Sequence, residues 1–569
     1  MPSPGETASG GGVKTMSATG PPPAAETGDH RDPTTPILPA WRFALLGFGL
    51  CLGLFLAMLD TSIVATCMFS IALEFQSLDS INWVALSYTL TYLGCAVIFA
   101  RISDVIGRKA AFLVAYGIFI SFSLACGFAQ SLNQLIVFRA LQGLGGGGLY
   151  SIAIIIFPEL TPDDKKKFIA GIIGIVIAVA GVMGPVVGGL LTHYRSWRYV
   201  FWINGPIGGV SAIVFWLTWP KTEFLPDLKR RSWKDLDYLG SFLLIAASVL
   251  IVFSFQNAGV DAQQWSQAVF IAPLILGIFS LFSLLAWEYF IERRWHGEKA
   301  AAFPLCLLRN HVYTAGILNT MFTGFPYFIC IYTFPIRFQV VNGKSALEAG
   351  LMLLPMLVGT AVGSSLSGVI SAKNNRIFET LVAACSLMIM GVALETTASD
   401  SRDIEPKVLG FLAFIGFGFG LAASSSTMLA SLESPIREHA PAQGILAQAR
   451  ILGGSLGIAA SSAILGVKSR AELTGVLSPA QMQDLASAAS TLTAEQHAAV
   501  RRTYTDALKV EMIVCSAVLA VGFLLTFGVY RKNRVTIDEQ QQERYREEGQ
   551  HRRKREGPAV EMDAGPGSA

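Results

Sequence analysis

A carboxylate interrupts a long apolar run in Leu59-Asp60-Thr61-Ser62-Ile63-Val64. On insertion scales an acid at the centre of a membrane helix costs about 2.5 to 3.5 kcal/mol, and a carboxyl that sheds its charge there can carry a proton. The alternative is a structural hydrogen bond to a neighbouring helix. Arg139 opens a second apolar run and is just as expensive unless it faces a protein interior or water. Gln142 follows three residues later, on the same helical face. The alternative for Arg139 is to snorkel to the interface near Gln134. A third stretch able to do chemistry is Ala100-Arg101-Ile102-Ser103-Asp104-Val105-Ile106-Gly107-Arg108-Lys109. Gly107 permits a tight turn, and Asp104 facing Arg108 and Lys109 can form a charge lock that breaks and remakes as two helical bundles rock. Its plainer reading is a turn carrying the basic residues usual in cytoplasmic loops.

The remaining polar residues narrow the field. Hydropathy places Asp104, Glu159, Glu348, Glu379, Glu395, Glu433 and Glu511 near helix ends, and no His lies deep in an apolar stretch. A proton relay would therefore lean on Asp60. Cys306 alone of the eight Cys sits in a loop, and no CxxC or metal-like spacing occurs, so the thiols read as small buried hydrophobes. No metal or other cofactor is expected. Phe322, Phe325, Tyr327, Phe328 and Tyr332 crowd one segment with Pro326 and Pro335. Phe322, Tyr327 and the later Gln339 are candidates to line a substrate cavity, with packing or lipid-facing roles as the alternative. Arg337 reads as a snorkelling residue at the outer interface. With no P-loop, nucleotide domain or clustered catalytic set, neither ATP-driven pumping nor enzyme activity is indicated.

These residues need apolar helices to hold them. The chain is 52% hydrophobic and only 15% charged, with mean hydropathy +0.50, which points to a membrane protein. A helix spans the hydrocarbon with roughly 20 apolar residues, and such runs recur from Phe43 to Tyr530. They predict about fourteen spans: six between Phe43 and Trp219, two between Tyr238 and Phe290, and six between Val312 and Tyr530, the last over Val510 to Tyr530. The fold class expected is all-α integral membrane. Its parts are a disordered tail (1–40), a first six-helix bundle (41–220), two added helices with linkers (221–300), a second six-helix bundle (301–530) with a long external loop at 468–509, and a basic tail (531–569). Alternate short loops carry the Lys and Arg, while 76–82 and 256–267 carry none, so both termini are expected in the cytoplasm.

Several stretches, in order, resemble the major facilitator superfamily. The 100–109 turn is similar to its Gly-x-x-x-Asp-Arg-x-Gly-Arg-Arg loop, departing at Ala100 and Val105. Arg139-Ala140-Leu141-Gln142-Gly143 matches an Arg-x-x-Gln-Gly motif that the family associates with proton coupling. Gly184, Pro185, Gly188 and Gly189 resemble its antiporter motif, with Ala180 where a Gly is usual. Small residues at that spacing also give a flat packing face, and the Pro bends the helix. Trp197-Arg198-Tyr199-Val200-Phe201-Trp202-Ile203-Asn204-Gly205-Pro206-Ile207-Gly208, Asp237 to Gly240, Leu354-Pro355 and Arg450-Ile451-Leu452-Gly453-Gly454-Ser455-Leu456-Gly457 resemble fourteen-span drug:proton antiporters. The Pro-rich first tail and long final loop look like those of filamentous-fungal members.

The resemblance implies two six-helix bundles around a central cavity, moving by alternating access. It implies a plasma-membrane efflux transporter, usually monomeric, that exchanges hydrophobic or amphipathic drugs, toxins or secondary metabolites for protons. Asp60, Arg139 and Gln142 would couple the proton, Asp104, Gly107, Arg108 and Lys109 would gate, and the Gly184-Pro185 helix would act as a packing hinge. Two rivals of the same superfamily are a transporter of siderophores or metal chelates, and one that loads basic amino acids into the vacuole. The antiporter motif disfavours the first; the lack of deep acids beyond Asp60 disfavours the second.

Overall fold

The computed structural model describes residues 39–76, 80–161, 166–220, 233, 237–258, 266–295, 303–435, 438–478, 481 and 492–531. The two expected tails therefore lie almost wholly outside the described residues, as does most of the linker at 221–236. Among the described residues the fold is all-helical, with thirteen helices long and apolar enough to cross a membrane and a fourteenth if the bent second helix is included. In a lipid interior every backbone donor and acceptor must be satisfied within the segment, which leaves helices as the spanning form for runs of this composition.

The first bundle comprises α1 (Ala40–Phe75), α2 (Asn82–Ile106), α3 (Arg108–Gly127), α4 (Leu132–Leu160), α5 (Lys166–Tyr194), α6 (Arg198–Trp202) and α7 (Asn204–Thr218). Two further helices follow, α8 (Tyr238–Ala258) and α9 (Ala268–Trp295), and then the short α10 (Leu305–Leu308). The second bundle comprises α11 (His311–Val340), α12 (Ala346–Met352), α13 (Leu354–Asn374), α14 (Ile377–Glu395), α15 (Pro406–Glu433), α16 (His439–Leu473) and α17 (Ala494–Thr526). The breaks between α6 and α7 and between α12 and α13 fall within single expected spans. In each, a proline, Pro206 or Pro355, removes a backbone donor and its ring crowds the carbonyl one turn earlier. The break follows from that.

Packing repeats between the halves. In the first, α1 lies on α5, α2 on α4 and α3 on α4; in the second, α11 lies on α16, α13 on α15 and α14 on α15. The 100–109 turn and the turn at 372–376 thus occupy matching places, joining α2 to α3 and α13 to α14. The added pair is joined mainly to itself, and α8 bridges α2 of one half to α16 of the other. α9 keeps Ile275, Phe279 and Phe282 exposed, an apolar face suited to lipid.

The last two spans differ from expectation. α16 continues to Leu473 and α17 starts at Ala494, so much of the 468–509 loop is helix. The added turns are polar, which is why hydropathy passes over them. Their start is marked by a capping box, in which the Thr493 hydroxyl accepts from the Gln496 backbone while the Gln496 side chain accepts from the Thr493 backbone.

Candidate functional site

Asp60 sits on α1, fully buried at 0% exposure, and each side chain that bonds to its carboxylate donates. Arg139 of α4, 1% exposed, donates from Nη1 to Asp60 Oδ2 in an ion pair. Gln142 Nε2 donates to Asp60 Oδ1 at 3.0 Å, and Asn204 Nδ2 of α7 donates to the same oxygen at 3.2 Å. Arg139 has further partners: Nε donates to the Val84 carbonyl of α2 at 3.1 Å and Nη1 to Gln142 Oε1 at 2.8 Å. Its guanidinium lies over the Tyr88 ring at 4.2 Å. Asn204 also donates to Ser123 Oγ of α3 at 2.9 Å. One carboxylate thus ties three helices together directly and, through Arg139 and Asn204, reaches two more, with its charge balanced by an arginine that cannot give up its own. Asp60, Arg139 and Gln142 meet in space, and Arg139 does not snorkel. Asn204, Ser123 and Tyr88 are the partners that sequence reasoning missed; Asn204 stood in the quoted 197–208 stretch but carried no role.

The 100–109 turn is locked within the first bundle. Gly107 has φ +92°, in the region that favours glycine. Arg108 pairs with Asp104 at 2.5 Å and with Glu159 of α4 at 2.8 Å, and its Nε donates to both Glu159 oxygens. Glu159, read from sequence only as an acid near a helix end, supplies the second carboxylate of this lock. Lys109 turns away to lie 5.9 Å from the centre of the Trp216 ring.

The glycines of α5 serve close approach. A side chain at Gly184 would strike Ser62, and one at Gly188 would strike the Ile63 carbonyl, both next to Asp60 on α1. On the other side a Cβ at Gly189 would lie 2.7 Å from the Ala346 carbonyl of α12, and the Pro185 carbonyl abuts Gly350. α5 is therefore wedged between the helix that carries Asp60 and the opposite bundle. The bundles also meet where the Tyr332 hydroxyl donates to the Thr61 carbonyl at 2.7 Å. Toward the end carrying the 100–109 turn they part, leaving a cleft lined by Tyr92, Asp104, Arg108 and Tyr150 on one side and by Gln443, Ala447, Gln448 and Ile451 of α16 on the other.

Phe322, Tyr327 and Gln339 are not brought together. Tyr327 is stacked on Phe419 with ring centres 3.6 Å apart. Phe322 packs against Gly522 of α17 inside the second bundle, and Gln339 turns back to the Pro335 carbonyl at 3.1 Å near the end of α11. Two other expectations are corrected. Glu511 stands in the middle of the lengthened α17, buried, where its Oε1 accepts from Ser461 at 3.0 Å. Arg337 is buried and donates to the Ser399 carbonyl at 2.8 Å, so it closes a loop and does not snorkel. No group of three His, Cys, Asp or Glu side chains that could hold a metal converges among the described residues. The stretch Gly453-Gly454-Ser455-Leu456-Gly457 has Gly-x-Ser-x-Gly spacing, but it lies inside α16 and not at the strand-to-helix turn that exposes a serine nucleophile.

Residues 50–458 match the family model described as Major Facilitator Superfamily. The chain belongs to the major facilitator superfamily. An MFS-type transporter of Fusarium mangiferae, FPY5, is 33% identical over 83% of this chain and 81% of its own length. An MFS-type efflux pump of Arthroderma benhamiae, MFS1, is 30% identical over 73% of this chain and 76% of its own. Among solved structures, an inward-facing, unoccupied bacterial homologue of the human lysosomal transporter Spinster superimposes with a TM-score of 0.58 at 17% identity, covering 87% of this chain and 99% of that one. This major facilitator protein is thus a multi-pass membrane transporter, and the Asp60 network lies in the first of its two bundles.

Proposed function

We propose that this transporter exports hydrophobic or amphipathic drugs, toxins or secondary metabolites across the plasma membrane in exchange for protons, with both termini in the cytoplasm. The observation that carries the reading is the Asp60–Arg139 pair, buried where α1, α2, α4 and α7 meet. A proton arriving on Asp60 removes the charge that Arg139 balances, so Arg139 is left to Gln142, Val84 and the Tyr88 ring. That loosens α1 from α4. α5 packs through Gly184 and Gly188 on α1 and through Gly189 on α12, so a shift of α1 is passed to the second bundle. Alternating access then follows from rocking the bundles about that contact, while the Asp104–Arg108–Glu159 lock keeps α2, α3 and α4 together at the end where the cleft opens, so that the first bundle moves as a unit. Relatives bearing the name efflux pump support the direction of transport.

The test is efflux of a panel of fluorescent dyes and candidate toxins from cells expressing wild type or Asp60→Asn, normalised to surface protein, with and without a protonophore. Export by wild type that both the mutation and the protonophore abolish supports the reading. Accumulation in place of export would point to uptake, and undiminished export by Asp60→Asn would remove Asp60 as the proton carrier.

A further inference from the structure

Three arginines stand inside the spans: Arg139 pairs with Asp60, whereas Arg337 and the half-buried Arg450 each hold a backbone carbonyl and leave a buried Nε without a partner. Arg450 of α16 differs from Arg337 in its place, between residues that line the cleft between the bundles. Among the described residues no carboxylate pairs with it; one Nη donates to the Ala423 carbonyl of α15 at 3.2 Å, while its Nε is buried without a partner. A guanidinium stays charged in any protein setting. An unpaired one inside an apolar span is expensive unless something else meets it.

What surrounds Arg450 is aromatic. Tyr92 and Tyr150 of the first bundle line the same cleft as its neighbours Ala447 and Ile451, and Tyr327 lies one turn along α11 from Gly324, which the Arg450 carbonyl abuts. The rings of Tyr92 and Tyr150 lie 5.7 Å apart, and the buried Tyr92 hydroxyl also lacks a partner. Tyr327 is backed by Phe419, stacked at 8° between planes. Arg450 also lies beside residues that line the cleft between the bundles. Ala447, three residues before it, and Ile451, next to it, both line that cleft, as do Tyr92 and Tyr150. The backbone there is held firmly, since the Arg450 carbonyl lies against Gly324 of α11 with no room for a side chain.

We propose that Arg450 is the anion-recognising residue of the substrate site, and that the transporter takes organic anions with an aromatic body. The carboxylate or equivalent acid group docks on the open edge of the guanidinium, which offers planar, paired donors. The ring system lies among Tyr92, Tyr150 and Tyr327, whose faces and hydroxyls suit a flat, partly polar molecule. Entry is through the cleft past Ala447 and Gln448. This rests on the reading of the chain as an exporter with a central cavity, but not on proton exchange.

The experiment uses the full-length protein purified in detergent, with no gradient present. Binding of 1-naphthoate and of its neutral methyl ester is followed by quenching of tryptophan fluorescence for wild type, Arg450→Gln, Arg450→Lys and Ala447→Glu. Wild type is expected to prefer the acid by about 10-fold, as one charged hydrogen-bonded contact provides. Arg450→Gln is expected to bind acid and ester within about 2-fold of one another, with the ester unchanged, and Arg450→Lys to keep part of the preference. Ala447→Glu offers Arg450 a carboxylate three residues away on its own helix and is expected to erase the preference while the arginine remains. That variant decides the matter if Arg450→Gln fails to fold. Equal binding of acid and ester by wild type, no binding of either, or a preference that survives in both Arg450→Gln and Ala447→Glu overturns the proposal. Asp60→Asn separates the two readings: it is expected to keep the preference for the acid even where it has lost proton-driven export.

Discussion

The two bundles share a packing plan but treat buried acids in opposite ways. In the first, Asp60 is ionically paired and receives hydrogen bonds from two amides. In the second, Glu511 meets only hydroxyls, through Ser461 and, at 3.0 Å beyond it, Thr333. Glu395 is buried with neither oxygen hydrogen-bonded, while Arg337 donates to Ser399 instead. The turns differ likewise. Arg108 holds two carboxylates in the first half, whereas the sequence 372–376, Ala372-Lys373-Asn374-Asn375-Arg376, has no acid to hold. Internal repetition has preserved helix packing and let the charge chemistry diverge. The first half pairs the acid deep in its spans with an arginine, whereas the second holds Glu511 by a hydroxyl and keeps the ion pair of its buried Glu433, with Arg531, at a helix end.

The largest effect that would test this contrast comes from breaking the pair. Asp60→Asn leaves Arg139 charged and without its carboxylate, and removing one partner of a buried pair costs about 3 to 5 kcal/mol. Arg139→Gln should cost less, because a carboxyl can take a proton where an arginine cannot shed one. The double variant should recover most of the lost stability while transport stays absent. Thermal unfolding of the purified proteins beside the efflux assay checks this; equal destabilisation by the two single variants would mean that the charge is not what the first bundle is built around.

A smaller effect is expected at the turn. Arg108 and Glu159 are partly exposed, so their attraction is screened, and Glu159→Ala should cost about 1 kcal/mol. Transport should fall a few-fold without being lost, because Asp104 still holds Arg108. Arg376→Ala in the matching turn of the second half should leave the rate unchanged. A rate that falls as far for Arg376→Ala as for Glu159→Ala would erase the asymmetry between the turns.

How far the sequence reveals these sites follows the cost of each residue. Asp60 and Arg139 are conspicuous because a charge in an apolar run has few explanations, and their helices do bring them together. Asn204 and Ser123 cost little in a span and look like any small polar residue there, so nothing in the pattern marks them as partners. Glu159 was visible as an acid, but pairing it with Arg108 requires knowing that α3 packs on α4. The spans themselves were readable from hydropathy, except where polar turns extend them. The Thr493-x-x-Gln496 capping box was the available sign that α17 begins well before its apolar part. Without it, Glu511 falls at a helix end. The aromatic face of α11 was ambiguous for a different reason: a helix that is apolar all round does not disclose which side meets the cavity.

Glu511 gives the smallest effect and the sharpest check on the comparison. Glu511→Gln keeps the side-chain shape and can still accept from Ser461, so the one thing removed is the capacity to carry charge or a proton. If the second bundle uses this group only as a hydrogen-bond acceptor, stability should change by less than about 1 kcal/mol and efflux should be unaltered at every external pH tested. Glu511→Ala, which leaves Ser461 with Thr333 alone and opens a cavity, should be clearly worse than Glu511→Gln. A Glu511→Gln protein that folds normally but loses export, or whose export no longer responds to external pH, would place a second proton-linked group in the second bundle. The two halves would then differ in how they balance the charge, and not in whether they use one.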